Sequence, residues 1–154
     1  MKAEDFPALV REIAIDGVEV RPADGKPGSG LQFGLIMTAP HGGRMAWQVA
    51  MQTDKKAGPA EGDPVPQQPP VPLTEGRLVS EEAVAALIAW FTRSPAATAI
   101  RKITPYDSRE RKGIRYGFTL DLHNGERVFM QQLWALRPDE QPDGGNKYVS
   151  HEYV

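Results

Sequence analysis

The stretch from Gly113 to Ala135 constrains the fold most, because it has the pattern of a β-hairpin. Apolar side chains alternate along its first half, at Ile114, Tyr116, Phe118, Leu120 and Leu122. The dipeptide Asn124-Gly125 then precedes a second apolar-rich run, residues 127–135. An Asn-Gly pair between two such runs is a strong hairpin signal, since a type I′ turn needs a positive φ at both central residues. We therefore predict an antiparallel hairpin over about residues 113–135 at the centre of a sheet.

A two-residue turn at Asn124-Gly125 fixes the register, and a slip by one residue would exchange the two faces of a strand. The predicted core pairs are Leu120–Phe129, Phe118–Gln131 and Tyr116–Leu133. The predicted opposite face carries the pairs Arg115–Trp134, Gly117–Gln132, Thr119–Met130 and Asp121–Val128. Trp, Met and Arg are enriched at protein interfaces. We predict a partner-binding surface made of Trp134, Met130, Arg115 and Gln132. The alternative is that the proline-rich loop or the N-terminal segment covers this face.

Residues 31–52 predict a second hairpin around Pro40-His41-Gly42-Gly43. The apolar faces of its two strands coincide when Leu35 lies opposite Trp47 and Met37 lies opposite Met45. This register leaves a three-residue loop, residues 40–42, which needs glycine in the left-handed conformation at its last position. Gly42 meets that need.

The N-terminal segment fits two structures. Phe6, Leu9, Val10 and Ile13 have the spacing of one helix face. Ile13 and Ile15 also alternate before the turn dipeptide Asp16-Gly17, and Val18 and Val20 alternate after it. We expect a short helix that runs into a small hairpin over about residues 12–21.

A proline-rich stretch over about residues 53–79 follows the second hairpin. Residues 53–76 of this stretch contain six prolines and few large apolar side chains. Proline fixes φ and removes a hydrogen-bond donor, so neither a helix nor a central strand is expected here. The stretch is predicted to be a semi-rigid connector or a partner-binding loop of polyproline character.

Residues 81–93 predict the one main helix, with Ser80 as its N-cap. The apolar stripe is Val84, Leu87, Ile88 and Phe91, and the opposite face is rich in alanine. A helix this apolar is either covered on most sides or packs against a partner. Short strands are expected at residues 99–106 and, at an edge of the sheet, 147–154. The chain is thus predicted to be a single α+β domain, residues 1–154, with the helix on one face of an antiparallel sheet.

Composition and charge restrict the class of protein. A length of 154 residues is typical of one domain, and the absence of cysteine excludes disulfides and thiolate metal sites. Neither a signal peptide nor a run of transmembrane length is apparent, so we expect a cytoplasmic protein that does not bind membranes. A composition that favours Ala, Gly, Pro and Arg indicates a GC-rich bacterial or phage source.

The segment 93–115 is basic within a chain of net charge −2. It holds seven basic and two acidic residues. Such a segment is either a solvated loop or a site for an anionic partner. The candidate phosphate contacts are Arg101, Lys102, Arg109, Arg111 and Lys112. No known nucleic-acid-binding signature accompanies them, so nucleic-acid binding is an alternative hypothesis.

Asp121, His123 and Glu126 are the candidates for an enzymatic or metal site. The predicted register puts Asp121 and His123 on one face and Glu126 opposite His123. A histidine between two carboxylates can bind a divalent metal or act as acid and base. Polar residues beside an Asn-Gly turn are equally what an exposed turn requires.

His41 is the other histidine considered for catalysis. It precedes Gly42-Gly43, as in the oxyanion loop of some esterases, but the sequence contains no Gly-x-Ser-x-Gly elbow. We expect no cofactor and no metal. The first functional hypothesis is a small non-catalytic protein-interaction domain, either a self-associating subunit or an accessory, immunity or inhibitor-type protein.

Overall fold

A computed structural model of the chain describes residues 5–23, 33–52, 58–107, 114–141 and 150–154. The helices are α1 (Phe6–Glu12), α2 (Ser80–Arg93) and a 3-10 helix (Pro95–Ala99). The strands are β1 (Glu19–Pro22), β2 (Gly34–Thr38), β3 (Arg44–Gln52), β4 (Ile100–Pro105), β5 (Gly117–Leu122) and β6 (Arg127–Leu136). Within the described ranges, no helix is long and apolar enough to cross a membrane.

The six strands form one antiparallel sheet in the order β1-β2-β3-β6-β5-β4. The hairpins β2–β3 and β5–β6 lie side by side at its centre, and β1 and β4 form its edges. The helix α2 packs on one face, while α1 packs against β1 and β2. The chain is therefore mixed α+β with an antiparallel sheet, as its sequence predicts, with α1 as a second helix.

The β2–β3 hairpin has the predicted register. Leu35 pairs with Trp47, and Met37 pairs with Met45. The N–H of Ala39 donates to the carbonyl oxygen of Gly43, which closes a three-residue loop over residues 40–42. Gly42 has a φ of 99°, in the region that favours glycine because it has no Cβ. The loop prediction is confirmed.

The β5–β6 hairpin exists, but its predicted register is wrong by one residue. The observed pairs are Leu120–Val128, Phe118–Met130 and Gly117–Gln131. The Leu122 N–H donates to the Glu126 carbonyl oxygen, so the loop holds three residues. Only Gly125 has a positive φ in this loop, whereas a type I′ turn would require one at Asn124 as well. The Asn124 Oδ1 instead accepts from the Glu126 N–H at 2.9 Å, which stabilises the longer loop.

A β-bulge in β6 changes which of its side chains face α2. Ala46 pairs with Trp134 while its neighbour Trp47 pairs with Gln132, so Leu133 is the extra residue. The alternation of side chains is offset at this point. Gln132 precedes the bulge and lies with Met130 on the α2 side, and Trp134 follows the bulge and lies on the opposite side of the sheet.

Two apolar cores lie on the two faces of the sheet. The main core fills the space between α2 and the sheet, where the rings of Phe91 and Phe118 pack edge to face with centroids 6.0 Å apart. Its largest fully buried side chains include Trp47, Phe6, Phe91, Phe118, Leu35, Leu87 and Leu120. Burying one such side chain stabilises the fold by about 1.5–3 kcal/mol. A second, smaller core on the opposite face consists of Ile36, Ala46, Trp134 and Leu136.

Residues 58–79, called the strap below, run beside α2 without forming a helix or a named strand. The Gln68 N–H donates to Thr92 Oγ1 at 2.9 Å, and both the N–H and the hydroxyl of Thr74 bond the Glu82 carboxylate. Val65 is buried in the main core. The strap is thus packed onto the domain, and it helps to cover the helix.

The alanine-rich face of α2 is buried within the chain. Ala86 and Ala89 line a cavity of about 430 Å³ whose other walls come from the strap and from residues 14–16. Both alanines are buried. The helix is therefore covered on most sides, which is one of the two outcomes that its composition predicts.

Ser80 does not cap α2, contrary to the prediction. The helix begins at Ser80 itself, the N-cap residue is Val79, and no side chain caps the helix. The Ser80 hydroxyl is buried and donates to the carbonyl oxygen of His151 at 2.7 Å. It also accepts from Gln132 Nε2 at 3.0 Å. Ser80 thus connects the start of the helix, the strand β6 and the C-terminal residues.

Two other predicted strand pairings differ in the structure. Leu78 and Val154 exchange two main-chain hydrogen bonds, so residues 150–154 pair beside the start of α2. Residues 147–149 of the expected edge strand lie outside the described residues. Ser150 also forms a parallel bridge with Ala135. Near the N-terminus, a single bridge between Ile15 and Val18 replaces the small hairpin expected over residues 12–21, and β1 pairs with β2.

Candidate functional site

The structure does not bring the four predicted partner-binding residues together on one exposed surface. Met130 and Gln132 lie on the α2 side of the sheet and are 0% and 2% exposed. Trp134 is 3% exposed and belongs to the second core. Arg115 is exposed. The one-residue change in register and the bulge at Leu133 together account for this separation.

The structure also separates Asp121, His123 and Glu126. Asp121 Oδ1 accepts from Arg127 Nε at 2.7 Å, and Glu126 faces Leu122 instead of His123. The predicted pairing of Glu126 with His123 is wrong, because the loop holds three residues. Across the described parts of the chain, no group of three or more histidine and acidic side chains is placed to hold a metal ion.

Each of the three histidines contacts a segment distant from its own strand or loop. His123 Nε2 lies 2.9 Å from the main-chain oxygen of Asp63 in the strap. His41 Nε2 lies 3.0 Å from the main-chain oxygen of Val154. His151 Nε2 lies 2.9 Å from Glu140 Oε1. The imidazoles therefore connect loops to the body of the domain.

Glu140 holds the C-terminal residues next to the end of β6. Its Oε1 accepts from the Arg137 N–H at 2.9 Å and faces the imidazole of His151. These contacts lower the pKa of Glu140 below its ordinary value of 4.5, with the Arg137 hydrogen bond as the largest cause. The Arg44 guanidinium also donates to the Glu140 main-chain oxygen.

Two of the candidate phosphate contacts are exposed on β4. Arg101 and Lys102 project from this edge strand, and Lys102 pairs across the ladder with Asp121. The remaining candidates, Arg109, Arg111 and Lys112, lie outside the described residues. Basic charge is thus present at the β4 edge of the sheet.

An apolar groove of about 350 Å³ opens between α2 and the β4 edge of the sheet; we call it the edge groove. One wall is the outer side of α2 and the other consists of residues from β4 and its neighbours. The lining residues are Gln68, Glu81, Val84, Ala85, Ile88, Ile103, Pro105, Tyr106, Tyr116 and Gly117. This groove is the strongest candidate for a functional site in the described structure.

Small residues keep the edge groove open. Ala85 supplies only a methyl group from α2, and Gly117 supplies no side chain from β5. A Cβ added at Gly117 would meet the Met130 carbonyl oxygen and would lie 2.9 Å from the Tyr106 ring. Glycine is therefore required where the Tyr106 ring lies over the start of β5.

Tyr116 supplies a phenol to the wall of the groove. Burial raises its pKa above the ordinary value of 10.0. Arg115, whose guanidinium lies 5.2 Å from the ring centroid, opposes this shift, and Glu152 and Glu81 add to it. The phenol stays protonated at neutral pH and can donate or accept a hydrogen bond.

The groove combines apolar walls with a few polar groups, an arrangement typical of sites that hold an apolar group of a ligand or partner. Sequence reasoning did not find it. The sequence pattern places Val84 and Ile88 in the core stripe of the helix and Ile103 in a short strand. Only the strand order, which puts β4 at the edge beside α2, brings these residues together.

Comparison of the chain with protein-family models, with curated proteins and with solved structures finds no match. The basis for a functional proposal is therefore the geometry of the edge groove and the surfaces around it.

Proposed function

We propose that the chain is a small non-catalytic protein-interaction domain that holds its partner in the edge groove. The observation that supports this most is the groove itself, which is apolar, open at the edge of the sheet and lined by Val84, Ile88 and Ile103. An apolar pocket at the centre of a contact surface is where binding energy concentrates in protein interfaces.

The distribution of apolar surface favours the groove over other parts of the molecule. The two surfaces that the sequence offers for a partner, the alanine-rich face of α2 and the side chain of Trp134, are buried. Among the large apolar residues that the structure describes, only Tyr153 is well exposed, at 46%. The edge groove, unlike the cavity beside Ala86 and Ala89, adjoins a strand edge with which a partner can pair.

Site-specific photo-crosslinking inside cells tests this proposal. A photoreactive amino acid replaces Ala85, which lines the groove, and in the control it replaces Ala50, an exposed residue of β3. We expect residue 85 to form a discrete crosslink to another protein and residue 50 to form none. Crosslinks of equal yield from both positions, or from residue 50 alone, would refute the proposal.

A further inference from the structure

We infer that the partner binds as an extended acidic segment that adds a strand to β4 and places alternate apolar side chains in the edge groove. This inference rests on the proposed function, and it specifies the chemistry of the partner. It requires a free strand edge, a groove on the correct side of that edge, and charge that attracts carboxylates.

β4 provides the strand edge. Among the described strands it pairs only with β5. Antiparallel pairing uses the N–H and C=O groups of alternate residues, so the other half of the β4 backbone groups point away from β5. Such an edge is a template for an additional strand.

The ladder indicates which backbone groups are free. The Tyr106 N–H donates to the Gly117 carbonyl oxygen of β5. Thr104 lies two residues earlier, opposite Thr119, so its N–H and C=O also point toward β5. Ile103 lies between these positions, and its N–H and C=O point outward. Pro105 lacks an N–H and ends the usable stretch.

The groove lies on the side of β4 that would receive apolar side chains. Ile103 lines the groove and packs against the main core. Successive side chains of a strand point to opposite faces of a sheet. An added strand would therefore direct every second side chain into the groove beside Val84 and Ile88, and the intervening ones away from α2.

Charge at this edge selects acidic residues for the outward positions. Arg101 and Lys102 are exposed on β4, and Lys102 lies on the face away from α2, because its partner Asp121 alternates with the core residue Leu120. Burial of a carboxylate against the apolar walls of the groove is costly, which disfavours acidic residues there. The favoured segment thus alternates acidic and apolar residues.

The other edge strand and a second copy of the chain are both poorer matches. β1 has four residues, ends in Pro22 and packs against α1. Pairing of β4 with β4 from a second copy would bring Arg101 and Lys102 close to the same charges on the other chain. Repulsion between these like charges opposes such pairing.

The test is fluorescence anisotropy of the full chain with a short labelled peptide in which glutamate alternates with leucine. The comparison probes are the same composition in scrambled order, a lysine–leucine alternating peptide and a single-stranded oligonucleotide. We expect the glutamate peptide to bind best, with an affinity that falls as salt rises. Equal binding of the scrambled or lysine peptide, or tighter binding of the oligonucleotide, would overturn the inference.

Two variants identify the site. Lys102→Glu should weaken binding about tenfold, because an attraction becomes a repulsion. The matched control Arg11→Glu, at an exposed position of α1, should leave binding unchanged. Binding should also slow hydrogen exchange at the Ile103 amide. Equal weakening by both variants, or an unchanged Ile103 exchange rate, would contradict strand addition. If crosslinking at residue 85 succeeds while the peptide does not bind, this inference fails and the proposed function stands.

Discussion

Around the edge groove, tertiary packing determines the identity of single residues, and the sequence pattern does not show this. Gly117 lies at the start of β5, where any side chain would collide with the β6 backbone and the Tyr106 ring. Tyr106 in turn accepts a hydrogen bond from Gln131 Nε2 at 3.2 Å on the sheet face opposite α2. Backbone geometry and one aromatic ring thus determine the residue at this position.

Gly117→Ala should destabilise the fold by about 1–3 kcal/mol, the usual cost of overpacking, because the added methyl meets a main-chain oxygen and the backbone must shift to make room. Chemical denaturation measures the change. Ala50→Ser, at an exposed strand position, is the control and should be nearly neutral. A Gly117→Ala variant as stable as the wild type would contradict the tight contact.

Tyr116 should make the stability of the domain depend on alkaline pH. Its pKa is raised above 10.0, chiefly by burial, so folding favours the protonated phenol. This contribution is complete below the ordinary pKa and is lost as pH rises through the higher folded pKa. Urea unfolding at pH 8 and above pH 10 measures the free energy of unfolding at each pH. Between the two, it should fall less for Tyr116→Phe than for the wild type. An equal decrease in the two proteins would contradict a raised pKa for Tyr116.

At the level of elements, the strap packs against the body of the fold through hydrogen bonds to several elements. Prolines prevent residues 58–79 from forming a helix or central strand, but the strap still bonds to α2, to the 3-10 helix and to the loop between β5 and β6. Gly62 lies against the His123 ring, since an added Cβ would come within 2.8 Å of it. His123 is therefore a structural contact for the strap.

His123→Ala should loosen the strap without unfolding the domain. The variant loses a hydrogen bond worth about 1 kcal/mol and the contact with Gly62. Hydrogen exchange at the amides of Gly62 and Val65, which bond the carbonyl oxygens of Thr98 and Ala97, should become faster. His41→Ala, in the β2–β3 loop, is the control and should leave both amides unchanged. Equal exchange in the two variants would contradict this role.

The two central hairpins show how far local sequence determines an element. For β2–β3, side-chain alternation and Gly42 agree on one register, and the structure has it. For β5–β6, Asn124-Gly125 permits both a two-residue and a three-residue loop, and the choice between them exchanges the faces of β6. Burial of Val128 and Met130 on the α2 side, a tertiary effect, accompanies the longer loop.

At the scale of the whole molecule, the strand order determines where function can lie. The pairing of β3 with β6 joins the two hairpins across a long sequence separation, and no local pattern specifies it. That pairing leaves β4 at one edge, beside α2, and so creates the edge groove. The α+β class and most elements were predictable from alternation and composition, but the candidate site was not.

The isolated chain should be a monomer in solution. The alanine-rich face of α2 and Trp134 are both buried within the chain, and equal charges oppose pairing between β4 edges. Light scattering at low and high salt measures the mass. A stable dimer at either salt concentration would contradict this prediction, and it would favour the self-associating form of the interaction hypothesis.

The most direct test of the edge groove as the interaction site is the affinity of the crosslinked partner, once identified, for two matched variants. Ala85→Phe fills the groove, and Ala50→Phe adds the same ring on the other face of the sheet. Titration calorimetry should show at least about tenfold weaker binding, or about 1.4 kcal/mol, for Ala85→Phe and no change for Ala50→Phe. Equal affinities for both variants, with both shown to be folded, would contradict the account.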